Sequence, residues 1–213
     1  MKDLKAALFD FDGVLVNTEP LYDDFWNEAG ERYNTGIPQF ASVIKGTTMK
    51  NVMKKYFSDR PLEVQQQLQR ESDEFESEMP FPPVDGALEF VRLLKEKGVK
   101  VGLVTSSDDK KLVRAFKVMG IEGLFDTVVS AERIKKGKPD PMCYLLAAKD
   151  LGKMPADCIV FEDSFAGISS ATNAGTKVIG LCTTNTEEEL NDKVYKVIPD
   201  FKGLSFEDYL SWQ

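Results

Sequence analysis

Short apolar runs alternate with amphipathic stretches along most of the chain. Runs bounded by loops predict strands at Ala6–Phe11, Val99–Thr105, Thr127–Ser130, Cys158–Glu162 and Lys177–Leu181, with a shorter one at Lys196–Ile198. Between them, apolar residues recur at helical spacing, and each pattern stops at a glycine: Gly98, Gly120 or Gly152. Alternating strands and helices predict a Rossmann-like α/β core, with a doubly wound parallel sheet that helices cover on both faces.

One segment directly after the first predicted strand breaks this alternation. From residue 17 to residue 83 the apolar pattern is helical, as at Leu21, Phe25 and Ala29, and the segment ends in the proline-rich stretch MPFPPVDG. We therefore predict two domains. Residues 1–16 and 84–213 form the α/β core, and residues 17–83 form an inserted α-helical cap domain.

Charge narrows the range of partners. The 213 residues carry a formal net charge of −8, which disfavours binding to nucleic acid or to an anionic membrane surface, because phosphate groups would be repelled.

The N-terminal segment reaches acidic residues too early for a signal peptide, and no apolar run is long enough to cross a bilayer. The sequence thus predicts a cytoplasmic protein, with a monomer as the default.

The residue inventory also limits the chemistry. The chain contains no histidine, which excludes Ser-His-Asp triads, Cys-His dyads and histidine-ligated zinc. Cys143, Cys158 and Cys182 form no CxxC pair and are interpreted as reduced thiols. Any general acid or base must therefore be a carboxylate, a lysine or a tyrosine.

Polar side chains follow the predicted strands where the strands end. They are Asp10 and Asp12, then Thr105, Ser106 and Ser107, and finally Glu162 and Asp163, while the segment after the third predicted strand leads to Lys138. In open α/β sheets the ligand crevice lies off the carboxyl ends of the strands, so we expect these side chains to converge. Several carboxylates in a poorly hydrated site need a cation to remain ionised, and oxygen ligands without histidine favour Mg²⁺. A phosphate ester would bind there through the metal, Lys138 and the Thr105 hydroxyl.

The two aspartates near the N-terminus suggest how such an ester would react. Residues two apart in an extended chain point the same way and lie about 6.6 Å apart. Asp10 would attack phosphorus and form an aspartyl-phosphate, while Asp12 would protonate the departing alcohol and then accept a proton from water.

Each pattern alone has a structural alternative. Asp10 and Asp12 could belong to a surface turn, and Lys138 could lie in a loop before a helix that Pro141 starts. Either Asp163 or Ser164 could cap the following helix, as Ser107 or Asp108 could cap an earlier one. The occurrence of all the patterns at successive strand ends favours a shared site over four independent structural roles.

At these residues the chain resembles the haloacid dehalogenase superfamily, in its phosphatase and phosphomutase branch with a helical cap. The four motifs occur in order as FDFDGVL, GLVTSS, KKGKPDP and FEDSFAGISSATNAG. The resemblance implies Asp10 as nucleophile, Asp12 as acid and base, and Lys138 as the bridge between nucleophile and phosphate. It further implies phosphate contacts from Thr105 and Ser106, and Mg²⁺ held by Asp10, the Asp12 backbone carbonyl, Glu162 and Asp163.

The predicted cap separates phosphatase from mutase. The segment VIKGTTMKNV resembles the cap loop of β-phosphoglucomutase, which implies substrate contacts from Lys45, Gly46 and Thr47. The mutase pattern has an arginine where this chain has Met49 and a histidine where it has Tyr22. Since both cationic positions are lost, we expect a phosphatase acting on a small phosphorylated metabolite, in particular a sugar phosphate. A phosphosugar mutase is the alternative. A non-catalytic phosphate-binding regulator is disfavoured because Asp10 and Asp12 are both present.

Overall fold

The computed structural model describes residues 4–44 and 49–213 of the chain. The strands are β1 (Ala6–Phe9), β2 (Val101–Val104), β3 (Thr127–Val129), β4 (Cys158–Glu162), β5 (Lys177–Leu181) and β6 (Lys196–Ile198). The helices are α1 (Glu19–Arg32), α2 (Phe40–Ile44), α3 (Met49–Tyr56), α4 (Leu62–Glu78), α5 (Ala87–Glu96), α6 (Asp109–Met119), α7 (Met142–Asp150), α8 (Phe165–Asn173), α9 (Glu187–Leu190) and α10 (Phe206–Ser211).

The strands form one sheet in the order β3-β2-β1-β4-β5-β6, and each neighbouring pair is parallel. This arrangement confirms the predicted doubly wound α/β fold. The chain runs outward from β1 through β2 to β3 and then returns to place β4 on the other side of β1. The strand order therefore reverses between β1 and β4, which is the point where open α/β sheets bind ligands, at the carboxyl ends of the strands.

The chain divides into two compact units, one formed by Met1–Asn17 with Phe81–Gln213 and the other by Thr18–Pro80. The first unit contains the sheet, and the second contains α1 to α4. The helical unit has its own core, in which Phe40 packs edge-on against Phe57 and Leu68 is fully buried. Within the described residues, no helix combines the length and the apolar character needed to cross a membrane.

Both faces of the sheet are buried. On one face, Phe9 of β1 stacks on Phe161 of β4 with their ring centroids 4.7 Å apart, and Phe201 packs against this pair. On the other face, Leu8 and Val160 belong to an apolar cluster that includes residues of α7 and α8. Because successive side chains point to opposite faces, burial on both sides requires the near-continuous apolar runs seen in the sequence.

The first strand is shorter than predicted. The apolar pattern predicts a strand over Ala6–Phe11, whereas β1 ends at Phe9. The Asp10 amide still donates to the Phe161 carbonyl at 3.1 Å. The chain then leaves the sheet and turns at Gly13, whose φ of 80° lies in the left-handed region that glycine adopts without strain. Asp10 is consequently fixed by the sheet, and Asp12 belongs to the turn.

Candidate active site

The candidate active site lies where the carboxyl ends of β1 and β4 meet. Asp10 directly follows β1, and Glu162 is the last residue of β4. The parallel register pairs Phe9 with Phe161, so the two carboxylates emerge from neighbouring strands. The position matches the point at which open α/β sheets bind ligands.

A buried lysine joins these two carboxylates. Lys138 Nζ lies 3.0 Å from Asp10 Oδ1 and 2.5 Å from Glu162 Oε1. The lysine side chain is only 7% exposed and that of Glu162 is 0% exposed. Burial by itself disfavours the ammonium, but the charges of Asp10 and Glu162 outweigh it and hold the pKa of Lys138 above its ordinary value. Lys138 therefore stays charged at neutral pH between its two partners.

A third carboxylate leaves the cluster with excess negative charge. Carboxylate oxygens of Asp10, Glu162 and Asp163 lie within 4.8 Å of one another, and all three residues are buried. Burial raises the pKa of Asp10 well above its ordinary value; Lys138 opposes this shift, and Glu162 and Asp163 add to it. A second cation would allow all three carboxylates to remain ionised. The oxygen-only donors suit a hard divalent ion such as Mg²⁺.

Glu162 is held by an unusually large number of donors. Its Oε1 accepts from Lys138 Nζ at 2.5 Å and from the Tyr144 hydroxyl at 2.9 Å. Its Oε2 accepts from the backbone amides of Asp163 and Ser164 at 2.9 and 3.0 Å and from the Ser164 hydroxyl at 3.1 Å. An ionised carboxylate offers about four acceptor positions. The predicted contact between Glu162 and a metal would therefore require displacement of one of these donors, and the present arrangement makes Glu162 an anchor.

The Tyr144 hydroxyl is one of these anchoring donors, and we expect Tyr144→Phe to lower the free energy of unfolding by about 1.5–3 kcal/mol, the usual range for a hydrogen bond to a charged group. The ring is fully buried in α7 and would remain in place, so the change removes little besides the bond to Glu162. Urea denaturation would measure the loss. Tyr195→Phe, at a side chain that is mostly exposed, is the control, and equal losses in the two variants would contradict the anchoring role.

Asp12 contacts a different set of partners from Asp10. Its carboxylate accepts from the Ser107 hydroxyl at 2.7 Å and from Lys111 Nζ at 2.7 and 2.9 Å. These donors flank the start of α6, where Asp108 is the N-cap residue and accepts from the Lys111 amide. The start of α6 therefore fixes the orientation of the Asp12 side chain.

Thr105 and Ser106 follow β2, next to β1 in the sheet. Thr105 is 2% exposed, and its hydroxyl oxygen accepts from the Ser107 amide at 3.0 Å. Ser106 is exposed. The three predicted cap residues, Lys45, Gly46 and Thr47, lie outside the described residues.

Sequence reasoning missed the roles of Lys111 and Tyr144. It placed Ser107 at a strand end and as a possible helix cap but did not predict its hydrogen bond to Asp12. A tyrosine at a core position of a helix pattern is a usable signal, because a buried hydroxyl needs a hydrogen-bond partner. Lys111 lies one turn into the helix that follows the GLVTSS motif, which places its cation near that strand end. The choice of cap for α8, left open between Asp163 and Ser164, falls on Ser164, whose hydroxyl accepts from the Gly167 amide.

The chain matches known proteins over most of its length. The model of the haloacid dehalogenase-like hydrolase family matches residues 7–181. A phosphorylated carbohydrates phosphatase from Thermotoga maritima is 31% identical over 193 residues, covering 83% of this chain and 84% of its own. Among solved structures, a HAD hydrolase of family IA, variant 3, from Entamoeba histolytica has a TM-score of 0.82 at 27% identity, covering 98% of this chain and 99% of its own. A β-phosphoglucomutase from Clostridium difficile has a TM-score of 0.75 at 25% identity and covers 99% of both chains.

Proposed function

Because the chain belongs to the haloacid dehalogenase-like hydrolases, we propose that it is a phosphatase that hydrolyses small phosphate monoesters, with phosphorylated carbohydrates as its substrate class. The observation that carries the proposal is the buried arrangement of Asp10, Lys138 and Glu162 at the carboxyl ends of β1 and β4, where the strand order reverses. This arrangement supplies a carboxylate nucleophile and a fixed cation at one position. The substrate class is supported by the Thermotoga maritima relative, which is named for phosphorylated carbohydrates.

The first step transfers the phosphoryl group to the protein. An Asp10 carboxylate oxygen attacks phosphorus, the bond between phosphorus and the ester oxygen breaks, and an aspartyl-phosphate forms. Asp12 enters this step protonated and gives its proton to the departing alkoxide, so that it leaves the step as a carboxylate. Lys138 lies 3.0 Å from Asp10, so its ammonium orients the nucleophile and offsets the charge of the incoming phosphate.

The second step returns Asp10 to its starting state. Water attacks phosphorus, Asp12 accepts a proton from that water, and the bond between Asp10 and phosphorus breaks to release inorganic phosphate. Mg²⁺, when bound, would neutralise charge on the phosphoryl oxygens. The residues that would hold it are Asp10, Asp163 and, by the family resemblance, the backbone carbonyl of Asp12. Ser107 and Lys111 keep the Asp12 side chain in a fixed orientation for its two proton transfers.

The helical unit favours hydrolysis over transfer to a second substrate hydroxyl. Met49, at the position where the mutase pattern has an arginine, packs against the apolar core of the helical unit. Tyr22, at the histidine position, lies edge-on to Phe75, and its hydroxyl is 3.4 Å from Glu76 Oε1. Neither residue supplies a cation for a second phosphate. The likeness to the Clostridium difficile β-phosphoglucomutase nevertheless makes a phosphosugar mutase the alternative to test.

³¹P NMR of the protein with Mg²⁺ and a panel of phosphate esters distinguishes these functions. The panel includes sugar phosphates and β-glucose 1-phosphate with a trace of the bisphosphate. We expect the signal of inorganic phosphate to grow, and the ester consumed fastest identifies the preferred substrate. Conversion of the 1-phosphate to the 6-phosphate with little free phosphate would establish the mutase. No change in any ester would favour a non-catalytic phosphate-binding protein.

A further inference from the structure

The loop that follows β5 contacts two segments of the candidate site through three consecutive residues, Thr183, Thr184 and Asn185. The Thr183 hydroxyl donates to the Gly13 carbonyl at 2.5 Å. The Thr184 hydroxyl donates to Asp163 Oδ2, and the Asn185 side-chain amide donates to the Asp163 carbonyl at 2.7 Å. One short loop thus bonds to both the turn after β1 and the residue after β4.

These two segments also contact each other directly. A Cβ atom added at Gly13 would lie 2.1 Å from Asp163 Oδ2, so the Asp163 carboxylate occupies the space that a side chain at position 13 would fill. The φ of Gly13 is 80°, which further restricts this position to glycine. The 183–185 loop therefore holds two segments that already pack tightly, and both belong to the proposed metal site.

The loop has no evident need of these bonds for its own structure. Helix α9 begins directly after it with a capping box, in which Thr186 and Glu189 each accept from the other's backbone amide. On the other side, the loop follows β5, which pairs with β4 and β6. Both ends of the loop are thus fixed by contacts that do not involve Thr183, Thr184 or Asn185. Their donors are aimed at the site instead.

We propose that Thr184, supported by Thr183 and Asn185, is a positioning residue that sets the affinity of the site for Mg²⁺. The proposal rests on the proposed function only in taking Asp163 and the turn after β1 as the segments that hold the metal. Ligating carboxylates are themselves hydrogen-bonded, and loss of such a bond allows the carboxylate to rotate away from the metal. The Thr184 hydroxyl holds Oδ2 of Asp163 in place. Because the carboxylate group is planar and rigid, this also sets the direction in which Oδ1 points.

Calorimetric titration of Mg²⁺ into the metal-free protein tests this role without reference to turnover. Thr184→Val keeps the shape of the side chain and removes the hydroxyl, and we expect it to raise the Kd for Mg²⁺ by about 10-fold or more, the range for partners of metal ligands. Thr184→Ser, which restores a hydroxyl, is expected to recover most of the affinity. Thr176→Val is the matched control, because Thr176 precedes β5 and its hydroxyl donates to the Ala171 carbonyl, away from the carboxylates.

A Kd within twofold of the wild-type value in Thr184→Val would overturn the proposal, as would an equal loss in Thr176→Val. If Thr184→Val does not fold, Thr183→Val is titrated instead, since it removes the hydroxyl that donates to the Gly13 carbonyl. A Kd within twofold of the wild-type value, or a loss equal to that in Thr176→Val, would again overturn the proposal. Because this experiment measures Mg²⁺ binding and not turnover, failure of the positioning role can be distinguished from failure of the proposed phosphatase function. A protein that binds Mg²⁺ and responds to Thr184→Val as expected, yet releases no phosphate from any ester, would retain the positioning role and lose the phosphatase.

Discussion

Replacement of Asp10 by asparagine is expected to lower phosphate release from the best ester by at least about 10⁴-fold, because the amide cannot act as the nucleophile. The side chain keeps its size, and Lys138 keeps Glu162 as a partner. The loss should therefore appear in kcat, while the variant still binds phosphate. Colorimetric measurement of inorganic phosphate at saturating Mg²⁺ gives the comparison.

The same variant is expected to remain folded and to unfold at an equal or higher temperature in metal-free buffer at pH 7. Burial raises the pKa of Asp10 above its unfolded value. A carboxyl group with a raised folded pKa stabilises the fold below its unfolded pKa, and this contribution is lost as the pH rises through the folded pKa. At pH 7 the buried Asp10 charge therefore contributes little to stability or is unfavourable, and an amide removes it.

The control for the turnover measurement is Asp157→Asn, at an exposed position of the same unit. If turnover by Asp10→Asn were within tenfold of turnover by this control, Asp10 would be excluded as the nucleophile.

The location of the site could be predicted because it depends on topology. Parallel strands that alternate with helices place their carboxyl ends on one edge, so residues that are distant in sequence but follow different strands meet there. Asp10 and Glu162 follow this rule closely, since β1 and β4 are neighbours in register. The apolar patterns that mark the strands were therefore sufficient to bring Asp10 and Glu162 together. Lys138 lies in the segment between β3 and α7, so its contact with both carboxylates depends on the course of that segment.

The partners of the Asp12 side chain could not be predicted from the same patterns. The alternation of an extended chain places Asp10 and Asp12 on one side, but β1 ends at Phe9 and the chain turns at Gly13. Asp12 contacts Lys111, which is 99 residues away in sequence. The contact depends on how α6 is oriented after β2, and no local spacing encodes that orientation.

The supporting hydrogen bonds were also out of reach, for a chemical reason. Tyr144 has an apolar ring and a polar hydroxyl, and helical periodicity detects only the ring. Thr183 and Thr184 follow a strand in a loop, where threonine is compatible with many structural roles. Their significance depends on Gly13 and Asp163, and the first of these lies 170 residues away from Thr183. Sequence patterns therefore identify the candidate reacting residues more easily than they identify the residues that hold those side chains in position.

Replacement of Lys138 by methionine is expected to destabilise the metal-free protein by about 3–5 kcal/mol at pH 7, the range for removing one partner of a buried ion pair. Methionine retains most of the side-chain length, so the loss arises mainly from the charge. Asp10 and Glu162 would be left buried without the ammonium that lies 3.0 and 2.5 Å from them. Turnover should fall as well, because the phosphate would approach two carboxylates that Lys138 no longer offsets.

The pH dependence of this loss separates a charge effect from a packing effect. Lys138 lowers the pKa of both Asp10 and Glu162, so its removal raises their folded pKa. Carboxyl groups with a raised folded pKa stabilise the fold at low pH, and this contribution disappears as the pH rises. The deficit of Lys138→Met relative to the wild type should therefore be larger at pH 7 than at pH 5 in urea denaturation. Lys136→Met, at a side chain that is 74% exposed, should show little deficit at either pH. An equal deficit in Lys138→Met at both pH values would mean that the lysine stabilises the site by packing, and its assignment as the cation that balances the nucleophile would fail.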